Sequence, residues 1–389
     1  MILLTPEVVY KQVSGLSVSF FSDSSVPGGS RMKEKISFLL VSAIVFLFLL
    51  MGCAEKKTES SSVMSPEDNP NLARFPIWEI LRRERLPNYN TLSFRTGSGY
   101  EIKNAKSNKL IICLTGGPGW FFPRMYAPGE AMGGGYMVEY FLHLKDEYSF
   151  FIPEKFGWER DNQRVFFDAE ERERYTVDNL ITNYVEVISE YLSQNNYKTV
   201  IIAGASEGGF IAPELYFRLK DFNISGLVVI AAGGLSYYER TEIKYEKYLA
   251  GMPPYHDLSG YDEGEVAIIV DAVLNVILDP FRFEPYPDSS EPIGEPGHPF
   301  YPGTYRYWNS YVHRRPIEFY ENINIPVLFL HGEWDANVPV ESTRYVEENL
   351  QGKPYIYRYY PEMFHWPDNY GGFVAWRRDI AAWLEAERL

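Results

Sequence analysis

Five short, almost wholly apolar runs constrain this chain more than any other feature: Lys109–Leu114 (KLIICL), Tyr148–Ile152 (YSFFI), Thr199–Ala203 (TVIIA), Leu227–Ala231 (LVVIA) and Pro326–Leu330 (PVLFL). A strand with one wet face alternates polar and apolar residues, so strands without that alternation must be covered on both faces. Helical spacing lies between them. From Thr176 to Leu192, the residues Val177, Leu180, Ile181, Tyr184, Val187, Ile188 and Tyr191 recur at helical intervals and form one apolar stripe. Strands alternating with helices predict an α/β fold, a mostly parallel central sheet with helices on both faces.

The rhythm breaks between Ser236 and Tyr320. Those 85 residues hold 17 aromatic residues and 10 of the 26 prolines, six of them between Pro285 and Pro302. Proline at that density excludes regular helix or central strand there. A helical stripe is left at Glu265–Leu278, through Val266, Ile269, Val273, Val276 and Ile277. An irregular aromatic insertion between two strands reads as a lid over one end of the sheet. An independent domain or a partner-binding loop is the alternative.

Four segments carry chemistry. Gly204-Ala205-Ser206-Glu207-Gly208-Gly209 stands between an apolar run and a helical pattern through Tyr216 and Leu219. That is the setting of a G-x-S-x-G elbow, where small neighbours let the backbone make a strained turn that lifts the serine hydroxyl above the sheet. Leu114-Thr115-Gly116-Gly117-Pro118-Gly119 follows the first run. Its glycines let backbone N–H groups approach a developing oxyanion. Neither G-K-[ST] nor a helix-opening G-x-G-x-x-G is present, so phosphate-cradle and dinucleotide readings have no support. His331-Gly332-Glu333-Trp334-Asp335 sets carboxylates beyond the last apolar run, and Met363-Phe364-His365-Trp366 precedes a final helix at Phe373–Leu384.

From about Leu92 to the C-terminus, these segments in this order resemble the α/β-hydrolase superfamily, in which the triad runs Ser, acid, His along the chain. Gly-Gly-Pro-Gly is similar to the proline iminopeptidase and serine aminopeptidase branch, and Ser-Glu-Gly-Gly to a carboxylesterase branch. Thr115 stands where the peptidases have His, and Ile152–Gly157 (IPEKFG) departs from their D-x-R-G-x-G turn. The resemblance implies Ser206 as nucleophile, Asp335 as orienting acid, His365 as base, and the N–H groups of Glu207 and Gly117 as the oxyanion hole. His365 is the only histidine after Asp335. Glu333 is the runner-up acid. His331 is read as a residue of the strand-end turn, satisfied by local hydrogen bonds, and Cys113 as a buried core thiol.

The implied activity is serine-hydrolase cleavage of a carboxylic ester through an acyl-enzyme. The alternative is removal of an N-terminal residue by an aminopeptidase of the proline iminopeptidase kind, with Glu239, Glu242 or Glu246 as ammonium partners. From another class, a catalytically idle, membrane-tethered binding protein is the third reading. No cofactor and no metal is expected, since the two cysteines and six histidines show no ligand spacing. Lys and Arg number 37 against 52 for Asp and Glu, which argues against a nucleic-acid partner. Oligomeric state is left open.

The N-terminal segment stands apart from the fold. Arg31-Met32-Lys33-Glu34-Lys35 leads into 16 residues, Ile36–Met51, whose only polar members are Ser37 and Ser42, followed by Gly52-Cys53. This resembles a bacterial lipoprotein signal, with Met32 as the natural start, cleavage before Cys53, and acyl chains on that residue. Several chains give the stable anchoring that a single one does not. The alternative, an uncleaved anchor helix, is short for the ~30 Å of hydrocarbon. The expected organisation is a signal region at 1–52, a lipidated tether at 53–72 of about 25 Å root-mean-square span, and an α/β-hydrolase domain at 73–389 with its lid insertion at 236–320. By the same resemblance the protein is held in the bacterial envelope. With two membranes, Ala54 after the cysteine implies the outer membrane, facing the periplasm. Loss of 1–52 moves the net charge from −15 to −16, since four cations and three anions go with it.

Overall fold

All five apolar runs enter one sheet. The computed structural model describes residues 88–116, 137–155, 158–161, 164–167, 173–252, 289–291, 304–365, 367 and 370–389, all within the compact unit Ser65–Leu389. In chain order the strands and helices are β1 (Asn90–Phe94), β2 (Gly97–Ile102), β3 (Lys109–Leu114), β4 (Ser149–Pro153), β5 (Trp158–Asp161), β6 (Arg164–Phe167), α1 (Val177–Gln194), β7 (Thr199–Ala205), α2 (Glu207–Arg218), β8 (Ile224–Ile230), α3 (Tyr237–Leu249), α4 (Tyr305–Val312), α5 (Ile317–Tyr320), β9 (Val327–Gly332), α6 (Glu341–Asn349), β10 (Tyr355–Tyr360) and α7 (Tyr370–Ala386).

The main sheet has eight strands in the order β1-β2-β4-β3-β7-β8-β9-β10, and β5 and β6 form a separate antiparallel pair. Strand β2 runs antiparallel to β1 and β4, whereas every pairing from β4 across to β10 is parallel. This is the mostly parallel sheet, covered by helices, that the resemblance to the α/β-hydrolase superfamily implies. Its two faces explain the apolar runs: Leu110, Ile112 and Leu114 of β3 join a core under α1, α2 and α4. Ile111 and Cys113 join the opposite core, with Phe373, Trp376, Ile380 and Trp383 of α7.

The expected strands are β3, β4, β7, β8 and β9, with ends moved by at most three residues. Strands β1 and β10 lie at the margins, where cover is partial and apolar continuity is not required, whereas β2 is buried from Gly99 to Ile102 but includes Gly99 and Glu101, so it does not read as an apolar run. In β10 only the two terminal tyrosines are buried. Helix α1 matches the expected stripe, and Thr176 caps it by accepting from the Asn179 N–H at 3.2 Å.

The insertion at 236–320 has more helix than its prolines foretell, because α3 and α4 flank the proline-dense stretch. Helix α3 opens with a capping box. The Ser236 hydroxyl accepts from the Glu239 N–H at 3.3 Å, and the Glu239 carboxylate accepts from the Ser236 N–H at 2.8 Å. Thr304 caps α4 through the Tyr307 N–H. The helical stripe at Glu265–Leu278 lies outside the described residues, as do residues 1–87 with Cys53 and the tether. Among the described residues no helix is long and apolar enough to cross a membrane.

Candidate active site

Ser206 sits between β7 and α2 with φ 53° and ψ −118°. A non-glycine residue with positive φ costs on the order of 1–3 kcal/mol and persists only when its surroundings over-determine it. Here they do. Its N–H donates to the Ile230 carbonyl and its own carbonyl accepts from the Phe210 N–H, both at 2.9 Å. A Cβ on Gly204 would stand 2.3 Å from the Gly208 oxygen, and one on Gly208 would stand 2.4 Å from the Leu114 oxygen. Only glycine lets β3, β7 and α2 approach this closely, and the result is a half-buried serine at the carboxyl end of the sheet.

Asp335 and His365 follow β9 and β10, two strands that end on the same edge as β7. The imidazole Nδ1 lies 2.8 Å from Asp335 Oδ2, and both residues are 3% exposed. The other carboxylate oxygen, Oδ1, accepts from the N–H groups of Asn337 and Val338 at 2.8 Å each. Burial alone would push this carboxyl up. The facing His365 and the hydrogen bonds from His331 and His365 outweigh it and hold the group well below the usual carboxylate range. Backbone bonds lock the two segments together: Glu333 N–H donates to the Tyr360 oxygen at 2.9 Å and Trp334 N–H to the Met363 oxygen at 3.0 Å.

His331 is fully buried, with Nδ1 2.7 Å from the Thr343 hydroxyl and Nε2 2.8 Å from the Val338 oxygen. The Thr343 hydroxyl donates to the Ala232 oxygen at 2.6 Å, so it accepts from His331, which thereby ties the acid loop to α6. Glu333 is turned away, its carboxylate 2.5 Å from Arg344. Cys113 is 0% exposed, and burial pushes its thiol far up, so it is inert.

Gly117 and Cys53 lie outside the described residues. Glu207 is buried at the first position of α2, its carboxylate held by Lys155 and Tyr307. Neither partner carried a sequence signal: Lys155 lies two residues past an apolar strand, and Tyr307 is one aromatic among many. Of the three acids set against a substrate ammonium, Glu239 is occupied by its capping box and by Arg315, and Glu242 and Glu246 are exposed. Among the described residues no group of three His, Cys, Asp or Glu side chains is arranged to hold a metal. A strained serine with a buried carboxylate–imidazole pair on one sheet edge is chemically suited to acyl transfer.

The prolyl oligopeptidase family matches residues 282–387, a span that includes Asp335 and His365 and stops short of Ser206. No curated protein matches the chain. Among solved structures, Est1E from Butyrivibrio proteoclasticus is 15% identical over 76% of this chain and 99% of that one, with a TM-score of 0.46. An acylaminoacyl peptidase from Pyrococcus horikoshii is 12% identical over 79% of this chain and 43% of that one, with a TM-score of 0.48. An esterase from Exiguobacterium antarcticum is 16% identical over 78% of this chain and 100% of that one, with a TM-score of 0.45.

Proposed function

We propose that this serine hydrolase of the α/β-hydrolase superfamily cleaves a carboxylic ester through Ser206, His365 and Asp335. The observation that carries the reading is the 2.8 Å contact of buried Asp335 with His365 on the sheet edge where Ser206 holds its positive φ. His365 takes the Ser206 proton as the oxygen attacks the ester carbonyl. Asp335 fixes the imidazole tautomer and stabilises the imidazolium. The Glu207 N–H, with Gly117 as companion donor, receives the oxyanion. Collapse expels the alcohol, which takes the proton from His365, and water then cleaves the acyl-serine by the same route.

Ester over amide is supported by the aromatic composition of the insertion, 17 residues in 85, and by the acids of α3 and the elbow, which are capped, ion-paired or exposed. The aminopeptidase reading draws on the prolyl oligopeptidase match at 282–387. A panel of nitrophenyl esters against aminoacyl amides separates the two. Fluorophosphonate labelling of the wild type, absent from Ser206→Ala, supports the serine mechanism. A wild type that neither labels nor hydrolyses either panel leaves the idle, tethered binding protein.

The cell-envelope anchor at Cys53 is part of the same reading, supported by the apolar run and small residue that precede it. Metabolic labelling with a palmitate analogue tests it: incorporation is expected in the wild type and lost in Cys53→Ser. Equal labelling of both sinks the anchor.

A further inference from the structure

The carboxylate of Glu207 is enclosed by two residues distant in sequence. Lys155 Nζ lies 2.5 Å from Oε1, and the Tyr307 hydroxyl donates to Oε2. The Lys155 and Glu207 side chains are 2% and 7% exposed, and Tyr307 is 1% exposed. Burial and the neighbouring Glu207 charge push the Tyr307 phenol well above its ordinary range, so it keeps the proton it donates. Both carboxylate oxygens are therefore taken, and Glu207 does not offer a charge to substrate.

Its backbone has the work. Glu207 follows Ser206, and its N–H is the oxyanion donor in the reading above, on which this inference rests. A free glutamate has three side-chain torsions and restrains nothing. One gripped at both oxygens fixes the direction of its own Cα–Cβ bond, and with it the adjoining peptide. One grip comes from the segment after β4 and the other from α4, a helix in the second half of the insertion.

Helix α4 is itself bolted to the elbow helix. Tyr311 packs on Phe210 of α2 with ring centroids 4.5 Å apart and accepts from buried Arg240 of α3 at 3.0 Å, while Arg314 pairs with Glu214 of α2. Tyr175 stacks on Tyr307 at 4.8 Å. Helix α4 thus belongs to the wall of the elbow.

We propose that Lys155 and Tyr307 are positioning residues that align the Glu207 N–H with the oxyanion, making turnover depend on α4 of the insertion. The test uses the whole chain and nitrophenyl butyrate. Tyr307→Phe removes one hydroxyl and keeps the ion pair. It is expected to lower kcat about tenfold with KM within about twofold, because a donor that meets only the transition state is misaligned and not removed. Fluorophosphonate labelling should slow by a similar factor, since the phosphonyl oxygen occupies the same hole. Lys155→Met should lose more, and Lys155→Arg should recover part of it.

A buried ion pair can be replaced by apolar side chains without loss of stability. The triple variant Lys155→Met/Glu207→Leu/Tyr307→Phe therefore separates bracing from positioning. A folded triple variant with kcat down about a hundredfold supports the proposal. Wild-type kcat in Tyr307→Phe or in the folded triple variant overturns it, while the labelled serine stands. A wild type that fluorophosphonate does not label removes the hydrolase reading and this inference together.

Discussion

At the scale of single residues the site is a set of groups held where isolated chemistry would not leave them. Ser206 keeps a backbone angle that costs energy, and Asp335 keeps its charge in a fully buried position because two histidines and two peptide N–H groups face it. Ser206→Ala should lower ester turnover by on the order of 10⁶, since a residual rate from binding and the oxyanion hole is all that remains. Asp335→Asn should lower kcat roughly 10⁴-fold by favouring the wrong imidazole tautomer, measured at saturating ester. Stability carries a sign as well. The folded carboxyl lies below its unfolded value, so its contribution is complete above the ordinary Asp range near pH ~4 and is lost as pH falls further. The gap in melting temperature between wild type and Asp335→Asn should therefore hold steady from about pH 6 to pH 5 and narrow as pH falls below ~4. A gap that widens on acidification contradicts this assignment of charge. The chain order Ser206, Asp335, His365 was readable from the sequence, and so was the local satisfaction of His331. Lys155 and Tyr307 were not, because a lysine behind an apolar strand and one tyrosine of 30 carry no spacing that points to Glu207.

At the scale of elements, legibility followed burial. Strands β3, β4, β7, β8 and β9 are covered on both faces, and such strands write themselves as apolar runs. Strands β1 and β10 need only partial cover, so NTLSF and YIYRYY gave no such run, and β2, GSGYEI, is broken by glycines and by Glu101 although its second half is buried. Helix α3 hid behind the prolines that follow it, although Ser236 and Glu239 form a readable capping box. Capping also supplies a measurable prediction. Thr176 holds the first turn of α1, which presents Val177, Leu180, Ile181 and Tyr184 to the core beside α2. Thr176→Ala should cost about 1 kcal/mol, seen as a lower urea midpoint with unchanged slope. Unaltered stability would mean that packing alone sets the start of α1.

For the whole molecule, the abundance of tyrosine becomes a property of the fold. Burial holds the Tyr184, Tyr307 and Tyr320 phenols well above their ordinary range and raises Tyr148 to about 12. These groups keep their protons in the folded chain and release them near pH ~10 once unfolded, so stability falls as pH rises above that value. A titration of phenolate absorbance should show exposed tyrosines ionising first and the buried class only together with unfolding. A single smooth transition with the fold intact would contradict the burial pattern. What the sequence determined by itself was everything written by local pattern: an α/β sheet covered on both faces and an elbow between strand and helix, while the roles of serine, acid and histidine came only as what the family resemblance implies. What only tertiary structure decided was which distant side chains meet. Strand order brings β7, β9 and β10 to one edge, and that edge brings Asp335 to His365. The fold of the insertion carries Tyr307 to Glu207 across 100 residues. The reason is physical: periodicity records how much of an element is buried, whereas the identity of its neighbours depends on the path of the whole chain.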